Sequence, residues 1–414
     1  MLNFNDLLKK NSSSSDKSVG EDEALKPTLG LFYQTDNCRE FISECVYIIE
    51  NSKVVINKNT DDLIVEGISK SDLDIIVIEM KNCKDVVSEA KRISYLLPNK
   101  ATIVIVGSEN SITTIRELKK IGFYYIFWPI DKLELISFFQ HVYSNRNNNM
   151  GVDRNRKAKR IIVLGAKGGV GATFISSELV NILTTKKNAK CLYVDHNFYN
   201  SNVDVMLRMK KFEPTDIKEG DTFSTIDSVL AKTLLIENNE HLSVLSLTSS
   251  DLIIDELIKF QSKVVDTLIH DFNFIIEDVS IKDVLSGKYK GYLSKSDCVL
   301  LVSTPGISEL REVSKLRSKV DKLPGKRPRV IVVINHVQPE KFSALTRDEV
   351  VKFLKHTPEA IVSFENNANQ YLLEETRVSQ TKSAVSRELL NLTMQVLGEE
   401  RPQNKSLLMR LLGR

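Results

Sequence analysis

Long apolar runs, paired cysteines, histidine clusters and a strong net charge are all missing from this chain. None of its 414 residues falls in an apolar stretch approaching the roughly 18 consecutive residues of a membrane span. The start, MLNFNDLLKKNSSSSDKS, lacks the long apolar core of a signal peptide, which predicts a cytoplasmic chain. Five cysteines (Cys38, Cys45, Cys83, Cys191, Cys298) stand far apart with no CxxC pair, so the expectation is buried, reduced thiols and no metal site. The six histidines form neither HExxH nor a paired cluster, so the sequence does not point to a histidine-held metal. A net charge of +3 is too small to make nucleic acid an obligatory partner.

What is present is an ordinary globular composition, 42% hydrophobic and 27% charged, long enough for two or three domains. Residues 1–27 read as a disordered tail: a short amphipathic start with Phe4, Leu7 and Leu8 on one face, then a Ser-rich charged stretch. From residue 28 to 145, short β-rich runs alternate with helical patterns. The runs are LGLFY, KVVIN, DIIVIEM, TIVIVG and YYIFW, and their alternation with helices predicts a doubly wound parallel sheet. Residues 146–159 are polar and basic, which predicts a solvated linker. Residues 160–400 hold six further buried-strand candidates, RIIVLG, KCLYVDH, LSVLSL, FNFIIED, CVLLVST and RVIVVIN, again with helices between them. Residues 401–414 end in KSLLMRLLGR, with Leu407, Leu408, Leu411 and Leu412 on one stripe and Lys405, Arg410 and Arg414 outside it.

The stretch IIVLGAKGGVGATFISSELV carries the chemistry. A strand, a glycine turn and a helix that begins near Thr173 let backbone N–H groups converge on a phosphate at a helix N-terminus. Thr173 stands where a hydroxyl can meet Mg²⁺. The glycines run G-x-x-G-G-x-G, so the dinucleotide fingerprint GxGxxG does not fit. A dinucleotide site using Asp195, or a glycine turn with no ligand, remain as alternatives.

KGGVGAT resembles the deviant P-loop of the MinD/ParA family, dimeric ATPases that position cell components. The resemblance implies an ATP and Mg²⁺ site whose backbone cradle is Lys167, Gly168, Gly169, Val170, Gly171, Ala172 and Thr173. It also implies that Lys167 reaches a partner's nucleotide across a homodimer. Along YVDHNFYNSNVDVML it matches Asp195 to a metal-associated aspartate, Asn197 to the water-orienting position, and Asn202 and Asp204 to the rest of the switch segment. FNFIIEDVS supplies Asp278, matched to a metal-associated aspartate, and VIVVINHV supplies Asn335, matched to a base-facing residue. Two positions depart from the family: Ala172 replaces the second lysine and Asn197 the catalytic aspartate. The implied consequence is binding with weak or absent hydrolysis, and no residue is assigned as catalytic.

Residues 28–145 resemble a response-regulator receiver. Glu79 stands at the phosphoacceptor position; Gln34, Thr35 and Asp36 replace the acidic pair; Gly107 replaces the hydroxyl residue; and Trp128 precedes Pro129 where a lysine is usual. The resemblance therefore implies a degenerate receiver that docks or dimerises without phosphorylation. A degenerate receiver ahead of a MinD/ParA-like domain is similar to the TadZ/CpaE family of the tight-adherence (Flp/Tad) type IV pilus. The expectation is an α/β chain of two doubly wound domains, receiver-like (flavodoxin-like) and then P-loop NTPase. It would act as an ATP-binding scaffold, peripheral at the inner membrane or cell pole, recruiting pilus assembly and secretion ATPase components. Residues 405–414 would offer a membrane contact, and no specific nucleic acid is expected. The alternative is an active ParA/MinD-type partitioning ATPase cycling on DNA or membrane.

Overall fold

A computed structural model describes residues 28–50, 54–147, 156–218, 226–279, 290–323, 325 and 327–399. The tail 1–27, the middle of the linker and the leucine stripe of 401–414 lie outside the described residues.

The first unit contains β1 (Leu29–Tyr33), β2 (Val54–Lys58), β3 (Ile75–Glu79), β4 (Thr102–Gly107) and β5 (Phe123–Phe127). They form one parallel sheet in the order β2-β1-β3-β4-β5. β3 and β4 are buried along their whole length, which is why they read as unbroken apolar runs; β2, at the edge, is nowhere fully buried and ends in Asn57 and Lys58. Helices 36–50, 61–70, 86–93, 112–121 and 132–147 cover the two faces. Leu31, Val77 and Val104 pack under one layer, and Phe32, Ile76 and Ile103 under the other. This order is the flavodoxin-like one, in which ligand chemistry belongs at the carboxyl ends of the strands.

The second unit contains β6 (Lys159–Gly165), β7 (Cys191–Asp195), β8 (Thr215–Asp216), β9 (Ile236–Asn239), β10 (Leu242–Thr248), β11 (Phe274–Val279), β12 (Cys298–Ser303), β13 (Arg329–Asn335) and β14 (Ala360–Val362). The sheet runs β14-β13-β12-β6-β11-β7-β10-β8, and β9 pairs antiparallel with β10. The six apolar runs of the sequence are β6, β7, β10, β11, β12 and β13. The additions β8, β9 and β14 are short edge strands of two, four and three residues, and the antiparallel β9 makes the sheet less than fully parallel.

The segment expected to be a solvated linker is built into the structure at both of its described ends. Asn147 closes the helix 132–147, and Lys159 opens β6. Arg156 is only 4% exposed and donates to the carbonyls of Leu97, Pro98 and Ala101 at 2.8–3.0 Å. Five N–H donors on one planar group can close the carbonyl end of a helical turn, so this arginine is fixed where a tether would leave it free. Tyr95 of the first unit packs at 5.3 Å between ring centroids against Phe274 and donates to the Leu397 carbonyl. Asn273 Nδ2 donates to Leu97 O at 2.9 Å. These contacts lie at the amino ends of β6 and β11, and on the first unit at the loop leading into β4. The carboxyl-terminal edges of the two sheets therefore face away from each other.

Candidate phosphate-binding site at the glycine loop

β6 runs through the middle of the larger sheet between β12 and β11 and ends at Gly165. The loop then turns through Gly169 (φ +83°) and Gly171 (φ +85°), conformations that a side chain would strain. At Gly171 there is no room either: a Cβ would lie 2.3 Å from Asn335 Nδ2. The helix Ala172–Thr185 follows, with Gly171 as its N-cap and no side-chain cap. The N–H groups of its first turn are thus left to an external acceptor, with the helix dipole behind them. Ile175 to Thr184 of this helix are all buried, so the loop stands on a rigid base.

Three oxygen-bearing side chains converge beside the loop. Asp195 and Asp278 end neighbouring strands and are register partners. Thr173, in the first turn of the helix, lies close enough for its hydroxyl to act on the Asp278 carboxyl, and Tyr193 Oη donates to Asp278 Oδ2 at 3.3 Å. Burial, and next the nearby Asp195 charge, push the Asp278 carboxyl up to about 6; the Thr173 and Tyr193 hydroxyls pull the other way. Burial also raises Asp195, opposed by hydrogen bonds from Ser201, the Asn197 N–H and the Ser246 hydroxyl. Two crowded carboxylates and a hydroxyl are hard oxygen donors suited to Mg²⁺, which usually takes one or two carboxylates plus substrate phosphates. Among the described residues no group of three or more His, Cys, Asp or Glu could hold a metal ion.

The remaining sequence-predicted residues take distinct places. Lys167 is exposed on the loop, its Nζ 3.3 Å from Ser308 Oγ and Glu309 Oε1. Gly168 is open, with nothing within 4 Å of a built Cβ, and Val170 is buried beneath the loop. Ala172 begins the helix and brings no charge to it. Asn335 donates its Nδ2 to Val170 O at 2.9 Å, so that half of the amide supports the loop. Asn197 is exposed and bonds the backbone of Asn200 through both ends of its amide. Asn202 is the exposed N-cap of the helix Val203–Leu207, with Asp204 in its first turn, and neither hydrogen-bonds the loop.

Sequence reasoning missed the polar support behind the carboxylates. Glu277 is fully buried, with Arg160 Nε at 2.9 Å and His196 Nε2 at 3.1 Å, and Arg160 also meets Asp266 at 3.2 Å. The signal was available: a glutamate inside an apolar central strand needs a buried partner. His196 and Glu277 adjoin Asp195 and Asp278 in the chain, so this network fixes the strand ends that carry them.

In the first unit Glu79 is 1% exposed. Its carboxylate accepts from Gln34 N at 2.6 Å, Thr35 N at 2.8 Å and Thr35 Oγ1 at 2.7 Å. Its own carboxylate therefore fills the anion-accepting turn after β1. Trp128 is buried against Phe41, and a Cβ on Gly107 would lie 2.7 Å from Tyr125 Oη.

No family model matches the chain. It is 24% identical to the septum site-determining protein MinD of Bacillus subtilis over 265 residues, which is 61% of this chain and 96% of that protein. Among solved structures it is similar to a ParA family ATPase from Chlorobium tepidum, at 17% identity and TM-score 0.47, covering 57% of this chain and 98% of that one. It is also similar to a MinC:MinD cell division protein complex from Aquifex aeolicus, at 18% identity and TM-score 0.47, covering 59% and 98%.

Proposed function

We propose that this protein is an ATP-binding localisation scaffold, in which nucleotide with Mg²⁺ brings two copies together face to face and hydrolysis is weak or absent. The observation that carries the reading is the convergence of Thr173, Asp195 and Asp278 beside a helix N-terminus that no side chain caps. Backbone N–H groups of residues 168–173 would hold the phosphates, and Thr173, Asp195 and Asp278 would hold Mg²⁺. When bound, the ion would screen the phosphate charge and relieve the repulsion between the two carboxylates.

Weak hydrolysis follows from the side chains at two positions. Ala172 supplies no cation in cis, and the Asn197 side chain is bonded to the Asn200 backbone while only its N–H meets Asp195. Removing one such transition-state contact costs roughly 10²–10³ in rate. A face-to-face dimer is supported by apolar residues exposed in the segments that follow β7, β12 and β13: Tyr199, Val205, Ile307, Val337 and Phe342. Lys167 is exposed and is free to exchange Glu309 for a partner's phosphate.

Similarity to a septum site-determining protein supports a positioning role. The order of a Glu79-filled, receiver-like unit ahead of a lysine-deficient P-loop resembles TadZ/CpaE. On that resemblance the cargo is the Flp/Tad pilus assembly and secretion machinery, with the chain peripheral at the inner membrane or a cell pole. Among the described residues no helix is long and apolar enough to cross a membrane.

Size-exclusion chromatography with light scattering, with and without ATP–Mg²⁺, tests the reading. The expected result is a dimer that forms with ATP–Mg²⁺ and is lost in Lys167→Ala, together with slow phosphate release. Rapid turnover would instead favour a partitioning ATPase cycling on DNA or membrane.

A further inference from the structure

Beside the buried helix that follows the glycine loop, the second unit encloses a cavity of about 120 Å³ whose charged lining is Glu178, Arg208 and Arg377. Three separate elements supply them. Glu178 comes from the helix Ala172–Thr185, Arg208 closes the short helix Val203–Leu207, and Arg377 precedes the turn Val378–Gln380.

Among the lining residues two cations stand beside one carboxylate. Glu178 Oε2 accepts from Ser379 N at 2.8 Å, and its other oxygen is 3.9 Å from Arg377 Nη1, too long for a hydrogen bond. Arg377 is 8% exposed and donates to Met206 O at 2.9 Å. Arg208 donates to the carbonyls of Tyr371 and Thr376, while its Nε is buried without any partner. Two guanidinium groups thus line the cavity with one carboxylate that is already committed; the other acidic neighbour of Arg208, Glu375, is exposed and stands outside the lining. A buried donor left unsatisfied is costly, and it is the group an anion would satisfy. Burial also lowers the pKa of both arginines, the sign of cations short of compensation. Arg208 moreover holds a left-handed φ of +57°, a conformation that a non-glycine residue keeps only under constraint.

We propose that this cavity binds a compact oxyanion, of phosphate or carboxylate chemistry, between Arg208 and Arg377. Its volume admits such a group with a few waters and excludes a nucleotide. The cavity walls belong to the helix that carries Thr173 and to the helix that follows the Asn197–Asn202 loop. An anion here therefore ties together the two elements that flank the candidate nucleotide site, without entering it.

The test is equilibrium dialysis of the full chain against labelled inorganic phosphate at fixed ionic strength, with unlabelled sulfate and acetate as competitors. Displacement by acetate would identify carboxylate as an accepted source; displacement by sulfate alone would restrict the site to tetrahedral anions. Four proteins are compared. Arg208→Gln removes one cation. Ala368→Phe fills the cavity without replacing either arginine, so it reports even if the arginine variant misfolds. Gly171→Val distorts the glycine loop, the other place where phosphate would bind. The expected result is one equivalent of phosphate that survives in Gly171→Val and weakens at least about tenfold in both Arg208→Gln and Ala368→Phe. The proposal is overturned if Gly171→Val loses all phosphate while the other two keep it, or if the wild type binds none at millimolar concentration.

Discussion

Asn335 Nδ2 donates to Val170 O at 2.9 Å and ties the end of β13 to the glycine loop across 165 positions of the chain. The same amide would lie 2.3 Å from a Cβ on Gly171, whose φ of +85° already excludes most side chains. Gly171→Ala therefore suffers a clash and a strained backbone together, and should cost about 2–4 kcal/mol. Asn335→Ala removes the clash and leaves the strain, so the double variant should be more stable than the sum of the singles implies. Thermal unfolding of all four proteins measures this; additive losses would mean that Asn335 does not crowd Gly171.

Glu79 should behave as a structural anion. Its carboxylate meets two N–H groups on one oxygen and the Thr35 hydroxyl on the other in a buried place; Glu79→Gln can keep its oxygen on the N–H groups only if the Thr35 hydroxyl reverses to accept, and it gives up the charge-assisted bonds. A loss of about 2–4 kcal/mol in urea unfolding is expected. Acetyl phosphate should add no mass to the wild-type chain, since both carboxylate oxygens are in use; a stoichiometric gain on Glu79 would refute this.

Asp278 sets a pH dependence whose sign follows from its raised pKa of about 6. Its ordinary carboxylate range is near 4, so the folded state favours the protonated form and the charge costs stability. The cost is absent below about pH 4, grows through the interval and is complete above about pH 6. Without metal, Asp278→Asn should therefore stabilise the protein by about 1–3 kcal/mol near neutral pH and hardly at all near pH 4. Mg²⁺ binds the charged form, so Mg²⁺-dependent nucleotide affinity should fall as pH drops through about 6 in the wild type. Fluorescent-nucleotide titrations at several pH values give the profile, and a flat one would remove Asp278 from the metal site.

The joint between the units rests on Tyr95, which Lys159 Nζ meets at 2.5 Å and which packs on Phe274. Tyr95→Ala should open the joint at a cost of about 3 kcal/mol, while Tyr95→Phe keeps the ring and should cost about 1 kcal/mol. Limited proteolysis between residues 147 and 156 reads the change. Equal cleavage of the three proteins would mean that the ring does not hold the units together.

Turnover should depend jointly on positions 172 and 197. Ala172→Lys alone adds a cation while Asn197 remains folded onto Asn200, so the expected gain in phosphate release is small. With Asn197→Asp added, the gain should exceed the product of the two single gains, because both groups act on one transition state. A wild type already as fast as the double variant would contradict the reading of the loop.

The strands of both sheets were legible because a central parallel strand is buried on both faces and leaves an unbroken apolar run, as in Ile75–Glu79 and Cys298–Ser303. The glycine loop was legible for a related reason: only glycine tolerates the φ of Gly169 and Gly171, so the backbone requirement is written directly in residue type. The polar edge strand β9 and the short β14 left no such trace, because they bury too little to demand a pattern.

Which side chains meet was decided by the tertiary structure. The sequence marks Glu277, Arg160 and His196 as charged or titratable residues in or beside apolar strands, but only the stacking of β6, β11 and β7 makes them one another's partners. It marks Arg156 as one basic residue in a polar segment, and only the docking of the two units supplies the three carbonyls that bury it. Arg208 and Arg377 are far apart in the chain and meet at one cavity because the segment 368–378 folds back over the short helix Val203–Leu207. Backbone conformation and burial on both faces are local demands that a sequence states directly. Pairing of polar groups across the fold depends on topology, and the sequence alone leaves it open.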